Sequence, residues 1–323
     1  MIRIDEHLSR SIANAGFLCA CLVVCLHVDL EADAGTWRWW LHDIVRSVAK
    51  VAVPGFFAIS GFLLAGHFGE SGWWGRAVRK RVRSLVVPYI IWNEFYLVLS
   101  VLLTALAARI GFRFGGISIE EFDVSLFVSS LGIVPPWDCQ LVYLWFVRCL
   151  FVFVCVAPLF TFVQSRIWGC PILILLFAVY ASSSFWLPPA EDWRVHFMKM
   201  AWMKGVCYFS LGAFLRWQGG AVRDVIERLP GGHTIVGLGR SLPLGGMWPA
   251  WMTSCAFPVF LLHKAVITLL VGVWQSVGIK AVILSSVTAY FLQVVVVILI
   301  CIGVTNALRR HCSKLAGFLF GGR

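Results

Sequence analysis

Long apolar runs decide what this chain can fold into. Several of them reach or exceed ~18–20 residues, the length that a helix needs to cross the ~30 Å hydrocarbon core of a bilayer. Of the 323 residues, 60% are hydrophobic and 13% are charged, whereas a soluble domain is nearer about 45–50% apolar and about 25% charged. The sequence therefore predicts an all-α protein, a polytopic transmembrane helical bundle. A β-barrel is disfavoured, because barrel strands alternate polar and apolar residues over about 10 positions.

The apolar runs predict about eight spans. They cover residues 11–28, 47–66, 85–108, 141–163, 169–187, 200–216, 252–274 and 279–304. We interpret residues 1–323 as a single membrane domain with two long connections, an outer loop at 109–140 and an inner Gly/Pro-rich loop at 217–251. The inner loop holds one amphipathic piece, AVRDVIERL, which is expected to lie on the membrane surface.

The charge pattern predicts the orientation of the chain. A net charge of +11 would suggest a nucleic-acid ligand in a soluble protein, but cations that flank membrane helices serve to orient them, so no nucleic acid is expected. Cations concentrate in one set of connections and acids in the other, which places both termini in the cytoplasm. The eleven cysteines lie mostly inside apolar runs and are expected to pack as small buried side chains rather than form disulfides.

A basic segment, residues 76–83, follows the second predicted span. It reads RAVRKRVR. Helical spacing would place Arg76, Arg79 or Lys80, and Arg83 on one face, where guanidinium groups suit phosphate. Anionic lipid headgroups would be bound equally well, and a cytoplasmic connection is rich in arginine in any case.

Few ionisable side chains lie in or near the apolar runs. His27 ends the first predicted span on its outer side, and a neutral imidazole there is either a general base or an interfacial side chain that hydrogen-bonds a loop. Arg148, near the outer end of the fourth span, raises the same question, as do Glu94 and the pair His263–Lys264. The sequence contains no Walker loop, HExxH or GxSxG motif.

Four segments, in this order, resemble the acyltransferase 3 family of membrane acyltransferases, which includes bacterial glycan O-acetyltransferases. They are CLVVCLHV with His27, FFAISGFLL followed by the basic segment and VPY, LWFV at 144–147, and FPVFLLH at 257–263. The second is the most specific. The resemblance implies an integral enzyme of a bacterial-type inner membrane. It would move an acyl group, most often acetyl, from cytoplasmic acyl-CoA to a hydroxyl of a glycan or other cell-envelope acceptor.

The resemblance also implies roles for individual residues. His27 matches the catalytic histidine, Arg76, Arg79 and Arg83 match arginines associated with donor binding, and Arg148 and His263 are possible supporting residues. Acyl-CoA, most often acetyl-CoA, would be the donor substrate, and no metal is expected because a thioester is already activated. Membrane lipid and a glycan or lipid-linked sugar would be the partners.

Two departures from the family pattern keep alternatives open. Many members carry Arg or Lys eleven residues before the histidine, where this chain has Gly16; the nearest upstream cation is Arg10, and Arg148 is one candidate to replace the missing charge. The family commonly has about ten spans against the eight predicted here, with the shortfall at 217–251. An inactive member, a small-molecule exporter or flippase, and a non-catalytic protein that binds anionic lipid are the alternatives.

Overall fold

Helices make up the regular structure of the protein. The computed structural model describes residues 1–109, 118–120, 122–130, 144–165, 167–186, 193–230, 234 and 246–322. No strand occurs in these residues, which confirms the predicted all-α class. The helices are α1 (Glu6–His27), α2 (Trp37–Ala49), α3 (Ala52–Ala65), α4 (Trp73–Arg81), a π-segment (Val82–Val86), α5 (Val87–Arg109), α6 (Val124–Ser130), α7 (Trp145–Cys155), a 3₁₀ segment (Ala157–Gln164), α8 (Gly169–Trp186), α9 (Trp193–Arg228), α10 (Ala250–Thr253), α11 (Ala256–Ser276), α12 (Lys280–Leu284), α13 (Val287–His311) and α14 (Ser313–Leu319).

The described residues contain five helices, some interrupted, that are long and apolar enough to cross a membrane. They are α1, α2 with α3, α4 with α5, α11 and α13. The pair formed by α7 and the 3₁₀ segment bends by 69° and would make a sixth. All eight predicted runs have helical segments, but α8 and α9 are not among these candidates, and α9 carries Lys204 and Arg216 within its apolar stretch. The protein is thus an integral membrane protein, and its described residues contain fewer clear spans than the eight predicted.

The two long connections contain more helix than expected. Helix α9 continues to Arg228, so AVRDVIERL is its last part rather than a separate surface piece. Gly219 and Gly220 cost about 1 kcal/mol each in a helix, but neighbouring side chains anchor it: Trp217 Nε1 donates to the Ala65 carbonyl at 2.8 Å and Gln218 Nε2 to that of Gln164 at 3.1 Å. The outer connection contains α6, while residues 110–117, 121, 131–143, 231–233 and 235–245 of the two connections lie outside the described residues.

The chain divides into two compact units. The first unit comprises Met1–Ala77 and Cys155–Ala307, and the second comprises Val78–Val154 and Leu308–Arg323. Each unit therefore joins stretches that are far apart in the sequence. The interpretation of residues 1–323 as one domain stays a prediction.

In the first unit, two glycines let α3 and α9 cross in close contact. A Cβ atom on Gly61 would overlap the Phe209 backbone, and one on Gly212 would overlap the Ala58 backbone. Small residues at such crossings let membrane helices pack through their backbones, where apolar burial alone gives no net attraction. Helix α3 also packs on α1, and α1 packs along α11. This packing fixes the end of α1 at which His27 lies.

In the second unit, the terminal helix α14 packs on α5. Trp92 Nε1 donates to the Leu319 carbonyl at 3.0 Å, and the Trp92 and Phe320 rings stack at 6.4 Å between centroids. Gly321 follows with φ +68°, and a Cβ there would meet the Ser84 backbone at 2.6 Å. The tail is thereby held against the π-segment, which begins within the basic segment.

Candidate active site

Two histidines from distant parts of the chain meet inside the first unit. His27 is the last residue of α1 and is half-buried, whereas His263 on α11 is fully buried. Their ring centroids lie 5.1 Å apart. His263 Nδ1 lies 2.7 Å from the Phe260 carbonyl oxygen. Because a carbonyl can only accept, Nδ1 carries the proton, and in the neutral ring Nε2 holds the lone pair. The structure thus brings together two residues that the sequence predicted separately.

Charged side chains act on His27 from three elements. Burial of the ring has the largest electrostatic effect on His27; among the charged side chains, Lys264, next to His263 on α11, comes first and Arg46 on α2 second, while Asp29 acts more weakly and with the opposite sign. Within the described residues neither Lys264 nor Arg46 belongs to an ion pair. The imidazole therefore lies in a field dominated by two cations. Such a field favours negative charge that develops beside it during a reaction.

A hydrogen-bonded tyrosine ties α13 to the same end of α1. Tyr290 is buried and donates its hydroxyl to the Cys25 carbonyl at 3.0 Å, and the His42 ring contacts it edge-on at 5.7 Å. Three residues further along α13, Gln293 is also buried, and neither atom of its amide has a hydrogen-bond partner in the part of the chain that is described. A primary amide can donate to and accept from a hydroxyl.

Sequence reasoning missed Arg46 and His42. The signal that could have found them is the spacing of Arg38, His42 and Arg46, which repeats every four residues and places all three on one face of α2. Arg38 Nη1 donates to the Ser285 carbonyl at 2.8 Å. One side of α2 is therefore a polar stripe, as expected for a helix that faces a site rather than lipid.

At the start of the basic segment, Arg76 is already engaged. Its guanidinium donates to Glu70 at 3.0 Å and to the Ser71 carbonyl at 2.6 Å, and His67 lies 3.2 Å from the same carboxylate. The hydrogen bond from His67, and then the one from Arg76, hold the pKa of Glu70 below its ordinary value. Arg76 thus closes the turn before α4, and it belongs to the first unit.

The remaining cations of the basic segment lie in the second unit on helical backbone. Arg79, Lys80 and Arg83 are exposed and Arg81 is half-buried. None of the four forms an ion pair with a described residue. Their charges are available to an anionic ligand, in contrast to that of Arg76. Arg79 lies on α4 and Arg83 on the π-segment, and their role in binding phosphate stays a prediction.

Comparison with protein families decides the identity of the chain. Residues 17–223, close to two thirds of the chain, match the model of the acyltransferase 3 family, described as an acyltransferase domain. The chain belongs to this family. Searches of curated proteins and of solved structures found no match. The match includes His27, Arg76, Arg79, Arg83 and Arg148 but ends before His263. The place of His263 in this acyltransferase therefore rests on its 5.1 Å approach to His27.

This acyltransferase has no cation at position 16, where Gly16 stands, but other cations act on His27. A Cβ at Gly16 would meet nothing within 4 Å, so no contact forces glycine there. Arg10 pairs with Glu6 and lies 17 residues, about 26 Å of helix, from His27. Lys264 and Arg46, by contrast, both act on the His27 ring. Substitution by Arg148, which belongs to the second unit, stays a prediction.

Arg148 of the acyltransferase lies beside the beginning of α5. It lines a cavity together with Tyr89 and Ile90 of α5 and with its own neighbours Val147 and Phe151. The sequence had placed Arg148 near the outer end of its span and these α5 residues near the inner end of theirs. Because α7 is only eleven residues long and then bends, Arg148 is not separated from the start of α5 by a full membrane thickness.

Arg216 of the acyltransferase is a buried cation that is not among the site residues predicted from the sequence. It lies on α9 with 8% of its surface exposed, and its Cζ is 5.1 Å from the centre of the Phe62 ring. Nε and Nη1 have no hydrogen-bond partner in the described residues. A Cβ on Gly66 would come within 2.9 Å of Nη2, so this glycine makes room for the guanidinium at the end of α3. A cation there also complements the dipole of that helix.

Proposed function

We propose that this acyltransferase is an O-acyltransferase that moves an acyl group, most often acetyl, from cytoplasmic acyl-CoA to a hydroxyl of a glycan or lipid-linked sugar. The observation that carries the proposal is the pairing of His27 with His263 in a region influenced by Lys264 and Arg46. Acyl transfer to an alcohol needs a base for the hydroxyl proton and positive charge for the oxyanion, and these residues can supply both.

The proposed chemistry is one displacement at the thioester carbonyl. The acceptor oxygen attacks, a C–O bond forms, and the C–S bond to coenzyme A breaks. His27 takes the hydroxyl proton and returns it to the departing thiolate, a role typically worth ~10²–10⁴-fold. Lys264 and Arg46 stabilise the tetrahedral oxyanion. His263 keeps the His27 ring in position through their contact. None of these steps requires a metal.

We further propose that the donor and the acceptor bind to different groups. The free charges of Arg79 and Arg83 suit the phosphates of coenzyme A, with Arg76 holding the preceding turn. The amide of Gln293 suits an acceptor hydroxyl, because both of its atoms are available within the described region. The acceptor would be a component of the cell envelope, the membrane a bacterial-type inner membrane, and both termini cytoplasmic, as the positive-inside rule predicts.

The test is acyl transfer by membranes that contain the protein. Membranes with the wild-type chain and labelled acetyl-CoA should acylate envelope glycan, and His27→Ala should lower the rate by at least about 100-fold. His311→Ala, an exposed histidine at the end of α13, is the matched control and should retain full activity. Equal rates for wild type and His27→Ala would overturn the role of His27. Substrate movement without any acyl donor would point instead to an exporter.

A further inference from the structure

The second unit contains a cavity that the proposed transfer of an acetyl group does not use. Its volume is about 240 Å³. It is lined by Leu85 and Val86 at the end of the π-segment, by the first turn of α5, and by α7 around Arg148. Apart from Arg148, the side chains that form it are aliphatic or aromatic. Leu85 and Val147 are almost fully buried, so these walls are fixed by packing.

The size and chemistry of the cavity indicate its ligand. An apolar cavity of about 150 Å³ already admits benzene, so this one has room for a longer alkyl chain. The pantetheine arm carries two amides, and burying them against an apolar wall without hydrogen bonds would be costly. An alkyl chain has no such groups. The cavity therefore suits a hydrocarbon chain better than it suits the coenzyme's own arm.

The cations that precede the cavity indicate the head group. Arg79, Lys80 and Arg83 are exposed, and the helix that carries them continues directly into the cavity wall. From Arg79 to Ile90 is eleven residues, about 16 Å of helix. Coenzyme A carries three phosphate groups, which match several cations better than the single phosphate of a phospholipid does. The π-segment carries Arg83 and leads directly into the first turn of α5, and π-helical turns are frequent at functional sites.

We propose that this cavity binds the alkyl chain of a medium-chain acyl-CoA, whose phosphates lie on Arg79, Lys80 and Arg83. This proposal rests on the proposed use of acyl-CoA as the donor and specifies its acyl group, which would be longer than acetyl. Because the cavity wall starts within one turn of Arg83, the head group and the chain are bound by one continuous helix.

Binding to the detergent-purified full-length chain tests the proposal without requiring turnover. Octanoyl-CoA should bind at least about tenfold more tightly than acetyl-CoA, since each fully buried methylene contributes up to about fourfold. Val86→Phe, which fills the cavity, should remove that preference. Phe151→Ala, which enlarges it, should shift the preference toward decanoyl-CoA. Val82→Phe, on the same π-segment but outside the cavity wall, is the matched control and should behave as wild type.

Two results would overturn the proposal. One is equal affinity for octanoyl-CoA and acetyl-CoA. The other is a Val86→Phe variant that loses binding of phosphatidylglycerol but keeps its preference for octanoyl-CoA, which would assign the cavity to bilayer lipid. The transfer assay separates this proposal from the proposed function. Acetyl transfer without chain-length preference contradicts only the cavity's role. A chain-dependent affinity with no transfer to any acceptor contradicts only the proposed activity.

Discussion

His263 lies against His27 with 5.1 Å between ring centroids, and the carbonyl of Phe260 fixes which nitrogen of His263 bears the proton. A buried, hydrogen-bonded ring of this kind cannot turn without losing its partner. We infer that it positions the more accessible member of the pair, the half-buried His27, rather than reacting itself.

His263→Gln should therefore lower kcat about 10- to 100-fold, because a small displacement of a catalytic group has an effect of this order. The KM for acyl-CoA should stay near the wild-type value. The pH dependence of kcat should also shift, since the ring beside His27 is gone. Steady-state kinetics across pH measures all three. An equal loss in His263→Gln and in the control His311→Gln would show that the effect is not specific to the pair.

Lys264→Met should lower kcat by about 10²–10³-fold if its charge stabilises the oxyanion. Lys264→Arg keeps the charge and should recover much of the rate. Arg46→Met should act in the same direction, and the double variant should lose less than the product of the two single effects, because the charges act on the same group. Strict additivity would show that the two cations act independently.

Glu70→Gln should release Arg76 and lower the KM for acyl-CoA, most clearly at low salt. The pKa of Glu70 lies below its ordinary value of 4.5. Its contribution to the turn is therefore fully present above pH 4.5 and is lost as the pH falls through the folded-state pKa. Limited proteolysis at Arg76 should be slow in the wild type at pH 6 and should become faster in acid; Glu70→Gln should be cleaved fast at both. An unchanged KM in the variant would exclude Arg76 from donor binding.

Gly212→Ala should destabilise the first unit, because its Cβ would overlap the Ala58 backbone. Forcing extra atoms into a packed interface costs about 1–3 kcal/mol. Gly272→Ala is the matched control: it lies on α11 with nothing within 4 Å of the new Cβ. Thermal unfolding in detergent should show a lower Tm for the first variant only. Similar melting curves for both would mean that α3 and α9 do not cross through these glycines.

The sequence predicted the helical class, and singled out His27 as a candidate site residue, for the same reason. Uninterrupted apolar runs admit few structures other than membrane helices, and His27 stands out because it ends such a run. The sequence could not predict that α9 continues past Gly219 and Gly220. The carbonyl groups to which Trp217 and Gln218 donate lie on α3 and on the 3₁₀ segment, far from α9 in the sequence. Long-range packing overrides local propensity there.

The candidate site likewise has a part that the sequence predicts and a part that it does not. Motif resemblance located His27 and the basic segment, and local spacing located their helices. That His263 approaches His27, and that Arg46 and Lys264 act on the His27 ring, are consequences of tertiary packing. No periodicity in the sequence records them.

The first unit is built from two separate stretches of the chain, which has a consequence for its biogenesis. Since it joins Met1–Ala77 to Cys155–Ala307, the ribosome must synthesise the whole stretch 78–154 before the second part of the unit emerges. At a synthesis rate of ~5–20 residues per second, His263 is made roughly 10–50 s after His27. During that time α1 sits in the membrane without the helix that covers it. A nascent chain cut short before α11 would carry most of the part that matches the family and yet lack the His27–His263 pair.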